Sequence, residues 1–300
     1  MSDFVNGFWN IYVIAIVLLS IVACLVLLIF SGKAHAMTAD DNTTGHVWDG
    51  DLREMNNPLP RWWSYLFVIT VIFAFGYLAL YPGLGNFPGM LGWTSRGLHQ
   101  TEVNEGNEQT APVYARFANM TPEDIAKDPA AMAIGERLYS NNCAQCHASD
   151  AQGNKGFPNL TDKDWLHGGT PEKITETIVQ GRIGNMPPMA AAVGTEEDVK
   201  NVAQYVLSLS GSPHDAAKAA LGKEKFAVCA ACHGEDGKGM QAVGAANLTD
   251  NIWLHGFGEQ AILNMVNNGM QNVMPPQAKL LTEAQLKVLT AYIWGLSNKS

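Results

Sequence analysis

Two pentapeptides constrain this chain more than any other feature: CAQCH at Cys143 to His147, and CAACH at Cys229 to His233. C-x-x-C-H is the attachment signature of c-type haem. Two thiols three residues apart reach the two vinyl groups of one porphyrin. The histidine that follows is then held beneath the iron as its proximal ligand. Paired C-x-x-C motifs also occur in zinc knuckles, and a single C-x-x-C can be a redox dithiol. Neither alternative requires a histidine fused to each pair, twice. The reading is therefore two covalently bound haem c groups, attached through Cys143, Cys146, Cys229 and Cys232, with His147 and His233 on the irons. Four of the five cysteines are used in this way, and no disulfide framework remains.

The sixth ligands follow from an internal repeat. NLTDKDWLHGG from Asn159 matches NLTDNIWLHGF from Asn247, an offset of 88 residues. The same offset lays GNMPPM (Gly184 to Met189) on NVMPPQ (Asn272 to Gln277), so Met186 and Met274 coincide. Each is followed by two prolines, which fix φ and stiffen a loop that must present a thioether at one point. The rival methionines fail this test, since Met189 faces Gln277 and Met270 faces Arg182. His167 and His255 of the repeated WLHG are the competing ligands, because bis-histidine haems exist; a packing role suits them better. Trp165 and Trp253 either donate their N–H to a haem propionate or pack the ring, and both roles stay open at this point.

Composition places this pair of sites. The 300 residues are 47% hydrophobic and 16% charged. Net charge is −9, spread as −3 over each of residues 1–81, 82–130 and 131–300. There is thus no basic stripe for nucleic acid. Ile11 to Phe30 and Trp62 to Tyr81 are runs of twenty residues without a charge, each about 30 Å long as a helix and enough to cross a bilayer. Aromatic residues stand at their ends. Ala34-His35-Ala36 resembles a signal-peptidase site, but the only charge before the first run is Asp3, and the run exceeds a usual signal core. Both runs are expected to be retained anchors. Neither carries Asp, Glu, His, Lys or Arg, so proton conduction by these helices is not expected.

The expected fold is all-α, with two N-terminal transmembrane helices followed by two tandem cytochrome c domains. The segments are residues 1–30 (first span), 31–61 (inter-helix loop), 62–81 (second span), 82–130 (linker), 131–211 (first haem domain) and 212–300 (second). Asp128-Pro129 and Ser212-Pro213 are read as the openings of the first helix of each repeat. DVKNVAQYVLSL and EAQLKVLTAYIWGL read as the amphipathic closing helices. The linker, rich in Pro and Gly and then polar without periodicity, reads as an irregular tether. Haem attachment in bacteria takes place outside the cytoplasmic membrane, which puts the haem domains and the N-terminus in the periplasm. Loop 31–61, with Lys33, Arg53 and Arg61, is then cytoplasmic.

His/Met-ligated haems have no open position and carry single electrons. That disfavours a di-haem peroxidase or a gas sensor and leaves electron transfer, either within an oxidase or as a free-standing membrane-anchored cytochrome. TTGHVWDGDLREMNNPLPRWW (Thr43 to Trp63), GWTS (Gly92 to Ser95) and the two WLHG–MPP repeats resemble the di-haem subunit of cbb3-type cytochrome c oxidases, the CcoP/FixP family, over essentially the whole chain. The resemblance implies electron entry from a soluble c-type cytochrome donor and transfer to a mono-haem c subunit. From there electrons would reach the haem–copper catalytic subunit in the bacterial inner membrane. The inter-helix loop is expected to contact another subunit. The family also includes members whose methionines are exchanged between domains. Bottom-up, pairing within a domain is the default.

Overall fold

The computed structural model describes residues 4, 6–32, 43–57 and 59–298. Asp3, Lys33, Ala34 to Ala36 and Pro58 lie outside the described residues. The chain is mostly helical and divides into two compact units, Met1–Gln109 and Thr110–Ser300.

In the first unit, α1 (Gly7–Ser31) and α2 (Arg61–Leu80) are the two long apolar helices. No residue of either is buried, and their apolar side chains surround the whole axis rather than one stripe. Asn10 near the start of α1 accepts a hydrogen bond from the Asn86 backbone N–H at 2.6 Å, tying that end of α1 to the turn beyond α2. That turn also closes the open end of α2, where Met90 and Leu91 donate to the carbonyls of Ala79 and Leu80. Gly89, at φ +74°, lies against the Leu80 carbonyl and the Tyr81 backbone, where a Cβ would collide. The expected cytoplasmic loop contains an antiparallel ribbon, β1 (Thr43–Trp48) and β2 (Leu52–Met55), which the sequence reading did not anticipate. Asp49-Gly50, both at positive φ, is the hairpin signal that was there to be read.

The linker differs more. Residues Ser95–Ala115 form a continuous helix, α3, where an irregular tether was expected. Thr94 explains its start: its hydroxyl accepts from Gly97 N–H at 2.9 Å and its carbonyl from Leu98. The GWTS motif is thus a helix cap, with Trp93 edge-on to Tyr81 at 5.8 Å.

In the second unit, the first repeat runs through α4 (Pro122–Ile125), α5 (Pro129–Asn142), α6 (Ala144–His147), α7 (Pro171–Gln180), β3 (Arg182–Met186), α8 (Ala190–Val193) and α9 (Glu196–Leu209). The second follows as α10 (Ala216–Lys225), α11 (Ala227–His233), α12 (Glu259–Asn268), β4 (Met270–Met274) and α13 (Glu283–Ser297). Asp128 caps α5 as expected, whereas α10 begins at Asp215, whose carboxylate accepts from Ala217 and Lys218 N–H. Capping boxes at Thr195/Asp198 and Thr282/Gln285 start α9 and α13.

The two cores do not follow the sequence boundary at residues 211/212, because the closing helices are exchanged. α13, at the end of the second repeat, packs on α5, α7 and α4 of the first. Gly135 of α5 faces Tyr292 with no room for a Cβ, Tyr139 and Tyr292 rings sit 5.7 Å apart, and Thr175 shares a 3.0 Å hydrogen bond with the fully buried Thr290. α9, at the end of the first repeat, packs on α10 and α12 of the second. There Gly222 abuts the Asn201 carbonyl, Phe226 meets Tyr205 at 5.2 Å, and Gln204 accepts from Asp215 N–H at 2.8 Å. The short Ser210 to His214 connection favours this outcome, since helices joined by few residues pack as antiparallel neighbours.

Candidate haem sites

His147 and His233 are held alike. Nδ1 of His147 lies 2.9 Å from the Pro158 carbonyl, and Nδ1 of His233 lies 2.9 Å from that of Ala246. A carbonyl only accepts, so each Nδ1 carries the proton and each Nε2 presents a free lone pair. Pro158 and Ala246 are related by the 88-residue offset, so the carbonyls that orient the two rings belong to the repeat. Such an outer bond fixes the tautomer and ring plane of a metal-binding histidine.

None of the four motif cysteines is in a disulfide: Cys146 and Cys232 are exposed, Cys143 and Cys229 half-buried. Burial pushes the Cys143 thiol up to about 11 and raises Cys229 as well. A redox dithiol needs its thiolate stabilised, so this is the wrong direction for one. Trp253 fits a haem in another way. Its Nε1–H is buried with no hydrogen-bond partner among the described residues, a donor that a haem carboxylate would satisfy.

The methionines are carried by one two-stranded ribbon. β3 and β4 pair antiparallel, with Arg182 opposite Met274, Gly184 opposite Asn272, and Met186 opposite Met270. Directly paired residues share a face. Half-buried and exposed residues alternate along both strands, so Met186 and Met274 lie on the same inward face at opposite ends. Ile183 and Val273 form an exposed pair on the other face. At one end Met274 packs against the core that holds Cys143, Leu160, Trp165 and Trp294. At the other, Met186 packs against the core that holds Cys229, Leu248 and Trp253. The ribbon thus places each methionine on the core that also holds the first motif cysteine of the other repeat. Which core each methionine reaches is set by contacts between distant segments that no local pattern encodes.

The WLHG histidines are otherwise engaged. Nε2 of His255 accepts from the Asn272 side-chain amide at 3.0 Å. His167 lies against Gly244, at φ +68°, where a Cβ would strike the imidazole. Burial lowers the pKa of both rings, and Arg182 adds to the effect at His167. The His167 contact therefore joins the two repeats, while the His255 hydrogen bond stays within the second. The contact is reciprocal, since Gly156 N–H donates to Leu254 at 2.8 Å while Gln241 donates to the Trp165 carbonyl at 3.1 Å. Asp162, Asp164 and Asp250 also approach here. Burial raises the pKa of Asp162 and Asp164, with Asp250 contributing repulsion to both.

Two cytochrome-like cores, each with a C-x-x-C-H motif and an oriented histidine, joined in sequence to two helices of membrane length, define a membrane-anchored di-haem c-type cytochrome. Comparison with known proteins makes this specific. Residues 40–88 match the family described as the N-terminal domain of cytochrome oxidase-cbb3, FixP, and residues 130–206 and 217–293 match Cytochrome C oxidase, cbb3-type, subunit III. The Cbb3-type cytochrome c oxidase subunit CcoP of Rubrivivax gelatinosus is 64% identical over 300 residues, covering 100% of this chain and 98% of that one. The FixP subunit of Azorhizobium caulinodans is 43% identical over 273 residues (85% of this chain, 92% of that one). The CcoP subunit of Cereibacter sphaeroides is 40% identical over 273 residues (85% and 94%). The chain belongs to the CcoP/FixP family: it is the membrane-anchored, di-haem electron-transfer subunit of a cbb3-type cytochrome c oxidase.

Proposed function

We propose that this subunit takes single electrons from a soluble c-type cytochrome and delivers them to the mono-haem c subunit, and so to the haem–copper catalytic subunit. Cys143 and Cys146 hold one haem c covalently, and Cys229 and Cys232 the other. His147 and Met274 ligate the first iron, His233 and Met186 the second. Haem c so ligated supplies one-electron transfer without an open coordination position. The chain's own contribution is orientation. The Pro158 and Ala246 carbonyls aim the histidines, the ribbon sets the methionines, and the Trp253 N–H awaits a carboxylate. The haem domains and the N-terminus face the periplasm, with residues 31–61 in the cytoplasm.

The single observation that carries the ligand pairing is that Met274 and Cys143 pack against one core, and Met186 and Cys229 against the other. The exposed Cys146 supplies a test. In oxidase purified from a Cys146→Ala background, the first haem keeps one unreacted vinyl group, and its red-shifted α-band labels it. Adding Met274→Ala is expected to abolish methionine ligation at the labelled haem, and adding Met186→Ala at the unlabelled one. The opposite assignment would establish pairing within repeats, and methionine ligation surviving both changes would overturn the ligand set.

A further inference from the structure

The two sites share their ligands but not their surroundings. At the 88-residue offset, Lys163, Lys173, Glu176 and Arg182 of the first repeat correspond to Asn251, Ala261, Asn264 and Met270 of the second. A cluster of charges in one repeat is replaced by neutral side chains in the other.

Arg182 matters most by position. On the ribbon it stands directly opposite Met274, whereas Met186 faces only the thioether of Met270. Both Arg182 and Met274 belong to the half-buried inward face. The Arg182 side chain is 21% exposed and its guanidinium fixed in place: its Nε–H donates to Thr177 Oγ1 at 2.9 Å and its Nη1–H to Glu176 Oε1 at 2.8 Å. Together with Trp165, His167 and Trp294 it lines a cavity of about 1010 Å³ beside the first core. The Arg182 and Lys173 hydrogen bonds pull the Glu176 carboxyl down to about 2, so this pair stays ionised at any working pH.

A fixed positive charge destabilises the oxidised iron, which carries one more positive charge than the reduced form, and the effect is strong where water is partly excluded. Glu176 offsets part of this field. Glu123 and Glu172 also line the cavity, farther along the chain from the ribbon, together with Lys163 and Lys173. On the reading of the sites given above, we propose that Arg182 holds the Cys143–His147 site at a higher reduction potential than the Cys229–His233 site. The downhill direction within the subunit then runs from the second haem to the first, so the donor delivers to the second.

The test is an optical redox titration of the haem c α-bands in the purified oxidase complex. Arg182→Met copies the second repeat onto the first. It is expected to lower the higher of this subunit's two midpoints by roughly tenfold in the reduction equilibrium, about 59 mV for one electron, and to leave the lower one in place. Glu176→Gln removes the opposing charge and is expected to move the same midpoint up. Arg182→Lys keeps the charge without the two-point hold and is expected to stay near wild type, which a purely packing role would not produce. An unmoved higher midpoint in Arg182→Met, or a shift of the lower one instead, would overturn the proposal. The methionine–iron charge-transfer band reports separately on the ligands. If wild type lacks it at either site, the ligand reading falls and takes this proposal with it. If both bands are present and the midpoints ignore Arg182, only the role of Arg182 falls.

Discussion

Around Tyr139 and Tyr292 the first core is deep. It is joined by a neighbouring cluster of Phe117, Ile125, Ala131, Val288 and Ala291, which buries the other side of α13. Around Phe226 and Tyr205 the second core is made of the same crossing without that flank. The difference extends to the turn after each histidine. Ala148 adopts φ 63° where the second repeat has Gly234 at φ 79°, and a side chain in that region is strained. The Tyr139 hydroxyl donates to the Ala148 carbonyl at 2.6 Å, and burial pushes that phenol up to about 12. Phe226 has no hydroxyl to do the same. Duplicated sequence has therefore yielded one site whose turn is clamped by a buried tyrosine and one whose turn is relaxed by glycine.

Six substitutions break or sharpen this comparison. Leu289→Ala deletes a fully buried side chain of α13 and should cost about 2–5 kcal/mol. Thermal unfolding followed in the Soret region should show the loss, with Met–iron ligation weakened at the Cys143 site and kept at the other. Gly222→Ala should cost about 1–3 kcal/mol, and more than Gly135→Ala. The first meets the Asn201 backbone, the second a tyrosine side chain. Equal losses in denaturant melts would mean that the two crossings are not the rigid contacts they resemble.

Tyr139→Phe makes the first core like the second and leaves the Ala148 carbonyl without its partner, at a cost of about 1 kcal/mol. Combined with Ala148→Gly, most of that loss should return; a double variant no better than the single would detach the tyrosine from the turn. Glu176→Gln has the smallest effect on stability. The carboxyl's folded pKa is depressed from 4.5 to about 2, so its contribution is present above about 4.5 and fades as pH falls toward 2. Wild type and variant should therefore differ in melting temperature at neutral pH and converge in strong acid. A gap that widens on acidification would refute the ion-pair account.

Much of the site was legible because the repeat tests itself. A residue needed twice appears twice, and Met186 and Met274, the pair proposed as ligands, do stand at equivalent ends of the ribbon. The same comparison noted Arg182 only as a mismatch, although that mismatch is the charge difference between the sites. The exchange of α9 and α13 was not legible, since amphipathic helices of 14 and 15 residues fit either core and nothing local distinguishes Gly135 against Tyr292 from Gly135 against Tyr205. The helix Ser95–Ala115 was missed for a related reason. It is polar on every face, so it has no apolar stripe to reveal a 3.6-residue period, and its Thr94 cap was read as part of a family motif.

The exchanged helices also set an order in time. As the chain emerges with its N-terminus leading, the CAQCH motif appears early, yet the helix that closes its core, Glu283–Ser297, is made only after the whole second motif. The CAACH motif appears later but finds α9 already synthesised. The second site can thus close before the first, and a chain cut short by even its final helix would carry a finished second site beside a first one left open.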